Sequence, residues 1–164
     1  MQEADLPEVV ALEEQCGLSP WSLSSYRQEL NNPRAILLVV VVGGAGVMPN
    51  AGGQIAGLLA GRVVVDEFEV HNLAVVSDRR RQGIGSTLLS AGLRAAHEQG
   101  VIRAVLEVRA ANSAAVTLYR QYGFASVGRR SGYYQDPPDD ALVMVCEGEA
   151  WGANPTGAPP SAES

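Results

Sequence analysis

Two stretches of the chain combine residue types that could do chemistry. The first is RRRQGIGSTLL, residues 79 to 89, in which three arginines precede two glycines and an apolar-periodic segment. A helix start leaves its first N–H groups without backbone partners and carries partial positive charge, so it favours an anion. Gly83 and Gly85 remove side chains that would block close approach, and Arg79, Arg80 and Arg81 add full positive charge. Phosphate suits such a place, although a glycine-containing turn with a solvated basic face would read the same way. The second stretch is VLEVR, where Glu107 interrupts an apolar run. A carboxyl partly withdrawn from water holds its proton more tightly, which moves its pKa toward the range useful for a general base. An outward-facing glutamate on a half-exposed strand is the plain alternative. Asn112 is a natural N-cap for a following helix, and Tyr119, seven residues on, would share its face. Without further context Tyr119 is a core aromatic with a satisfied hydroxyl.

Three phosphate-binding designs compete for residues 79 to 89. A P-loop needs a lysine after its second glycine, and all twelve basic residues of this chain are arginine. A dinucleotide fingerprint needs glycine or alanine three residues after Gly85, where Leu88 stands, and an early strand–helix unit. The third pattern, Arg80-x-x-Gly83-x-Gly85 after the strand VHNLAVV, is taken up below. With 164 residues the chain is one domain, and eighteen acids give a formal charge of −6. That excess argues against nucleic acid and membrane surfaces as partners. Cys16 and Cys146 are isolated, with neither a CxxC nor a histidine cluster, so no metal site is expected and both read as reduced thiols of a cytoplasmic protein. The start has no basic segment before an apolar run, as a signal peptide would.

The elements that must position these residues follow from periodicity. Asp5 and Glu8 look like a capping pair for a first helix that continues to Gly17, and Ser22 is an N-cap for a second that ends at Asn31 to Pro33. Strands are expected near 34 to 43, 54 to 65 and 67 to 76, with GGAGVMPNAGG as a loose hairpin loop. A helix to about Glu98, a strand at 102 to 109, a helix at 112 to 122 and strands near 124 to 130 and 141 to 147 complete a domain over residues 1 to 147. The rest, 148 to 164, is rich in Gly, Pro, Ala and Ser and is expected to be a disordered tail. Two helices, an antiparallel run, then β-α-β-α-β-β predict an α/β domain with a mixed, mostly antiparallel sheet flanked by helices.

The glycine motif resembles the acetyl-CoA pyrophosphate loop of the GCN5-related N-acetyltransferases (GNAT). The stretch LEVRAANSAAVTLYRQYGFASVGRRSGYYQDPPDDALVM is similar to the ribosomal-protein-S18 alanine N-acetyltransferase branch of that family, with its LEVRxxNxxAxxLYxxxGF, RRxxYY and DAxxM residues all present. PWS at 20 to 22 and NLAV at 72 to 75 fit as well, and the likeness covers roughly residues 5 to 147. Members usually begin with a strand before the first helix, so the first edge strand is expected to be missing from this numbering. The resemblance implies acetyl-CoA as co-substrate and no metal. It puts the pyrophosphate on Arg80, Arg81, Gln82, Gly83, Ile84, Gly85 and Ser86, and the pantetheine arm on Asn112 and the backbone of Leu73, Ala74 and Val75. It makes Glu107 the base that takes the ammonium proton and Tyr119 the donor to the departing thiolate. Tyr122 is expected to pack beside Phe124 instead.

The implied acceptor is the N-terminal alanine of ribosomal protein S18 or a similar basic peptide, attacked directly while both substrates are bound to a monomer. Trp21, Glu69, Tyr133 and Tyr134 are candidate acceptor contacts, and Asp136, Asp139, Asp140 and Glu67 could attract an arginine-rich peptide. Glu69 and His71 share a strand face by period two, and His71 ranks below Glu107 as a second base. A covalent route through Cys16 or Cys146 has no motif to support it. Two rivals stand beside this expectation: an enzyme of the same fold that acetylates lysines, other N-termini or a small amine, and an acetyl-CoA-binding adaptor without turnover.

Overall fold

A computed structural model describes residues 1–18, 21–43 and 53–148. The hairpin loop at 44 to 52, Pro20 and the tail from 149 onward lie outside the described residues. Helix α1 (Leu6–Gln15) starts with proline in its first turn, where a missing N–H costs nothing. The expected capping pair does not form. Asp5 makes no side-chain cap bond, its Oδ2 accepting from Gln2 N at 2.7 Å, and Glu8 Oε1 accepts from Ile55 N at 2.7 Å in a neighbouring strand. Helix α2 (Leu23–Leu30) is capped as expected, Ser22 accepting from Ser25 N at 3.1 Å.

Six strands follow the two helices: β1 (Ala35–Val42), β2 (Gln54–Val64), β3 (Glu67–Val75), β4 (Arg103–Arg109), β5 (Ala125–Gln135) and β6 (Pro138–Glu147), in the order β1-β2-β3-β4-β6-β5. Helix α3 (Ile84–Glu98) joins β3 to β4, and α4 (Ser113–Gln121) joins β4 to β5. All pairs are antiparallel except β3 with β4, the pair bridged by a helical crossover. β1 forms one edge, as expected for a sheet that begins after the first two helices. The last hairpin is longer than expected: the segment GYYQDPPDDA is mostly strand rather than loop, because Tyr134 pairs with Asp139 and Gln135 with Pro138.

Helices pack on both faces, so the sheet separates two cores. Leu88, Leu89, Leu93 and Ala96 of α3 bury against Leu59, Phe68 and Met144 on one side. Full burial of each leucine contributes about 1.5–3 kcal/mol. Leu6, Val9 and Leu12 of α1 pack with Tyr26, Leu58 and Ala74 on the other. Gly57 sets how closely α3 approaches: a Cβ there would lie 2.9 Å from Ala74 O, 3.0 Å from Ile84 Cγ2 and 3.1 Å from Leu88 Cδ1. The first turn of α3 thus rests on bare backbone.

The β2–β3 register slips between Ala60 and Gly61, Ala60 pairing with Asn72 and Gly61 with Val70, so His71 is the extra residue of a bulge. The β3–β4 ladder is short as well. It runs from Glu67–Arg103 to Val70–Leu106 and stops, while β3 stays on β2 to Val75 and β4 stays on β6 to Arg109. The two strands therefore diverge into a wedge.

Candidate active site

The wedge opens into a cleft of about 570 Å³. It gathers residues from five elements: Leu73, Glu69 and His71 from β3, Glu107 from β4, Asn112 and Tyr119 from the α4 segment, Tyr133 and Tyr134 from β5, and Trp21 from the connection before α2. A pantetheine arm can reach the backbone of β3 only where the sheet splays, and β3 and β4 diverge beyond Val70 and Leu106. Among the three backbone candidates only Leu73 borders the cleft: Ala74 is buried in the core against α1, and the Val75 carbonyl accepts from Arg80 Nε at 3.1 Å and Cys16 Sγ at 3.7 Å.

Glu107 does not stand alone. Its Oε1 lies 2.9 Å from Arg130 Nε, and the Tyr133 hydroxyl also hydrogen-bonds to it, which together with the carboxylate's charge holds the Tyr133 proton more tightly than usual. Arg130 was not legible in the sequence as a site residue. It arrives because β5 lies beyond β6 from β4, with Glu107 opposite Val143 and Arg130 opposite Ala141, a strand order that spacing does not encode. Tyr119 is buried, and burial, with a smaller effect of Tyr134, raises its pKa. A phenol so held is a proton donor, not a phenolate. Its ring packs on Phe124 at 5.7 Å, the contact expected of Tyr122. Tyr122 lies in the same core as Phe124, and its hydroxyl lies 2.6 Å from Ser86 Oγ and donates to Ser86 O at 3.1 Å, tying the end of α4 to the first turn of α3. Asn112 caps α4, accepting from Ala115 N at 3.1 Å, and borders the cleft at the same time.

His71 shares the cleft with Glu69, Nε2 to Oε2 being 3.6 Å, and its ring lies 5.2 Å from that of Trp21. Burial, partly opposed by Glu69, lowers its pKa, so it is a neutral imidazole at pH 7. Cys16 borders the same cleft, whereas Cys146 is buried in β6, donates to Tyr122 O at 3.2 Å, and has its thiol pKa pushed up to about 11 by burial. A thiol in that state is a poor nucleophile. The acids proposed to draw in a basic peptide are engaged elsewhere. Glu67 pairs with Arg103, Asp140 with Arg129 and the Gly132 amide, and Asp139 accepts from the Ala111 and Asp140 amides. Asp136 borders no described part of the cleft.

The glycine loop lies at the end of the wedge, Gly85 being placed so that a Cβ would meet Leu118 at 3.4 Å and Val75 at 3.7 Å. Arg81 and Gly83 both adopt left-handed backbone, with φ of 62° and 80°. This turns the chain so that α3 begins at Ile84, and the amides of residues 81 to 85 have no backbone acceptor among the described residues. A Cβ at Gly83 would meet nothing within 4 Å, so the approach is open. Two side chains of the loop turn inward instead: Arg80 to Val75, and Gln82 to Asp78 O at 3.4 Å. Amides in a concave turn at a helix start, flanked by arginines, fit a diphosphate.

Comparison with known proteins agrees with this geometry. The acetyltransferase (GNAT) family description matches residues 6–124. The [ribosomal protein bS18]-alanine N-acetyltransferase of Escherichia coli is 32% identical over 147 residues, spanning 88% of this chain and 93% of the relative. An N-alpha-acetyltransferase of Mycobacterium tuberculosis is 34% identical over 150 residues, 88% of this chain and 87% of that one. The crystal structure of the E. coli ribosomal-protein-S18-alanine N-acetyltransferase superposes with a TM-score of 0.73 at 31% identity, covering 91% of this chain and 94% of that one.

Proposed function

The chain belongs to the acetyltransferase (GNAT) family and is an N-acetyltransferase, and on that premise we propose that it acetylates the α-amine of the N-terminal alanine of ribosomal protein bS18 in the cytoplasm, with acetyl-CoA as donor. The observation that carries the reading is the wedge between β3 and β4, which brings a carboxylate, Glu107, and a proton-bearing phenol, Tyr119, onto one cleft, while the glycine loop follows the end of β3.

Acetyl-CoA supplies the thioester. Residues 81 to 86 would hold its diphosphate through main-chain amides, and Asn112 with the backbone at Leu73 its pantetheine arm. Glu107 accepts the proton of the acceptor ammonium, which at a pKa of ~8 is mostly charged at pH 7. Arg130 and Tyr133 must give way to that ammonium, and a cation replacing a cation keeps the carboxylate matched. Tyr119 then supplies a proton to the leaving sulfur. Trp21, Tyr133 and Tyr134 wall the acceptor side, with Glu69 as the second carboxylate facing it. The test is a peptide with the bS18 start, compared with the same peptide carrying a blocked N-terminus and internal lysines, read by mass spectrometry. Acetylation of the free alanine alone is expected; acetylation of the blocked peptide on lysine would refute this acceptor.

A further inference from the structure

Glu13 is the one charged side chain among the described residues that is wholly buried, and the reaction described above does not use it. It lies on α1, behind the cleft wall. A carboxylate out of water is expensive unless every lone pair is matched. Here the matching is extensive: Oε1 accepts from the Tyr26 hydroxyl at 2.6 Å and from Asn72 Nδ2 at 2.5 Å, and Oε2 accepts from the Trp21 amide at 3.1 Å. Burial still raises its pKa, the three hydrogen bonds opposing that rise. An apolar side chain would fill this place at lower cost to stability, so packing alone gives no reason for a charge.

The donors supply a reason. Trp21 and Asn72 both border the cleft, on the side away from Glu107's strand partners, and they come from different elements, the connection before α2 and the middle of β3. No other hydrogen bond is recorded for the Trp21 amide among the described residues, and the Trp21 ring is set between Tyr26 at 5.4 Å and His71 at 5.2 Å. We propose that Glu13 is a positioning residue for the peptide acceptor: from behind the wall it clamps the Trp21 backbone and the Asn72 side chain, and so fixes the Trp21 face against which the first residues of the acceptor lie. This rests on the peptide-acetylation reading above.

The experiment measures steady-state kinetics of the full chain with the bS18-start peptide for wild type, Glu13→Met, Glu13→Gln and Tyr26→Phe. Methionine removes both acceptor oxygens, and with them all three hydrogen bonds, while keeping length. Glutamine keeps one oxygen and turns an N–H toward either Trp21 or Tyr26. Tyr26→Phe removes one donor and leaves the Trp21 link intact. Peptide KM should rise at least fivefold in Glu13→Met, less in Glu13→Gln and least in Tyr26→Phe, while acetyl-CoA KM stays within twofold throughout. Should Glu13→Met fail to fold, the order of the other two decides. Peptide KM unchanged in Glu13→Gln, or peptide and acetyl-CoA KM rising together, overturns the proposal. A wild-type chain that turns over no peptide instead removes the reading on which it rests, and the two failures are distinct.

Discussion

Gly83 offers a perturbation in which two substitutions at one atom separate backbone strain from charge. Its φ of 80° is left-handed, and an added Cβ meets nothing within 4 Å. Alanine therefore costs only the conformational penalty of that region, about 1–2 kcal/mol, or roughly 2–8 °C in melting temperature for a domain of this size. It leaves the loop amides in place, so acetyl-CoA affinity should stay within about threefold. Aspartate tolerates left-handed backbone better and sits at the start of α3, where a negative charge is favourable, so the melting temperature should move less than with alanine. Its charge, however, faces the diphosphate. One unit charge about 6 Å from another at an effective dielectric of about 20 amounts to ~3 kcal/mol before screening; allowing for solvent, the expected loss is about 1.5–3 kcal/mol, roughly 10- to 150-fold in Kd. Calorimetric titration of coenzyme A into wild type, Gly83→Ala and Gly83→Asp, each at low and high salt, gives the numbers. The aspartate deficit should shrink as salt shortens the Debye length. Wild-type affinity in Gly83→Asp, or equal affinity losses in both variants, would refute the assignment of the loop.

Glu107→Gln and Tyr119→Phe should each lower kcat by about 10²–10⁴-fold with acetyl-CoA affinity nearly intact; wild-type turnover in either removes that residue from the mechanism. Gly57→Ala pushes a Cβ to 2.9 Å from the Ala74 carbonyl, an atom that cannot swing aside, so a destabilisation of about 1–3 kcal/mol should come with weaker coenzyme binding as α3 is lifted, checked by thermal melts and calorimetry on one sample. Burial holds the Glu13 carboxyl above its ordinary 4.5, so the native state binds its proton to higher pH than the unfolded chain does and stability falls as pH rises through that interval. The melting-temperature difference of wild type minus Glu13→Gln should therefore decline from pH 4.5 to neutrality, and a constant difference would contradict this.

Much of the site was legible because its signals are local. The glycine loop, the apolar strand around Glu107 and the seven-residue step from Asn112 to Tyr119 each depend on chain neighbours, and all three stand where periodicity put them. What escaped depends on register between distant strands. Arg130 reaches Glu107 across β6, Glu13 is buried under a residue 59 positions away, Asn72, and Tyr122 braces Ser86. The state of the acidic residues near the last hairpin was hidden for a related reason: turn chemistry and ion pairs within the hairpin engage Asp139 and Asp140, and composition cannot distinguish an engaged carboxylate from an available one. The Asp5–Glu8 pair matched a capping pattern, yet the stronger demand came from the unpaired Ile55 amide.

The extra residue at His71 has an effect beyond its own ring. Upstream of it Phe68 and Val70 turn toward α3; downstream the parity is reversed, Leu73 and Val75 packing on that side while Asn72 and Ala74 turn toward α1. One strand thus serves both layers, and the change of phase is what delivers Asn72 to the hidden carboxylate. Were His71 to take a place of its own in the ladder instead of bulging out of it, every later residue of the strand would be turned inside out.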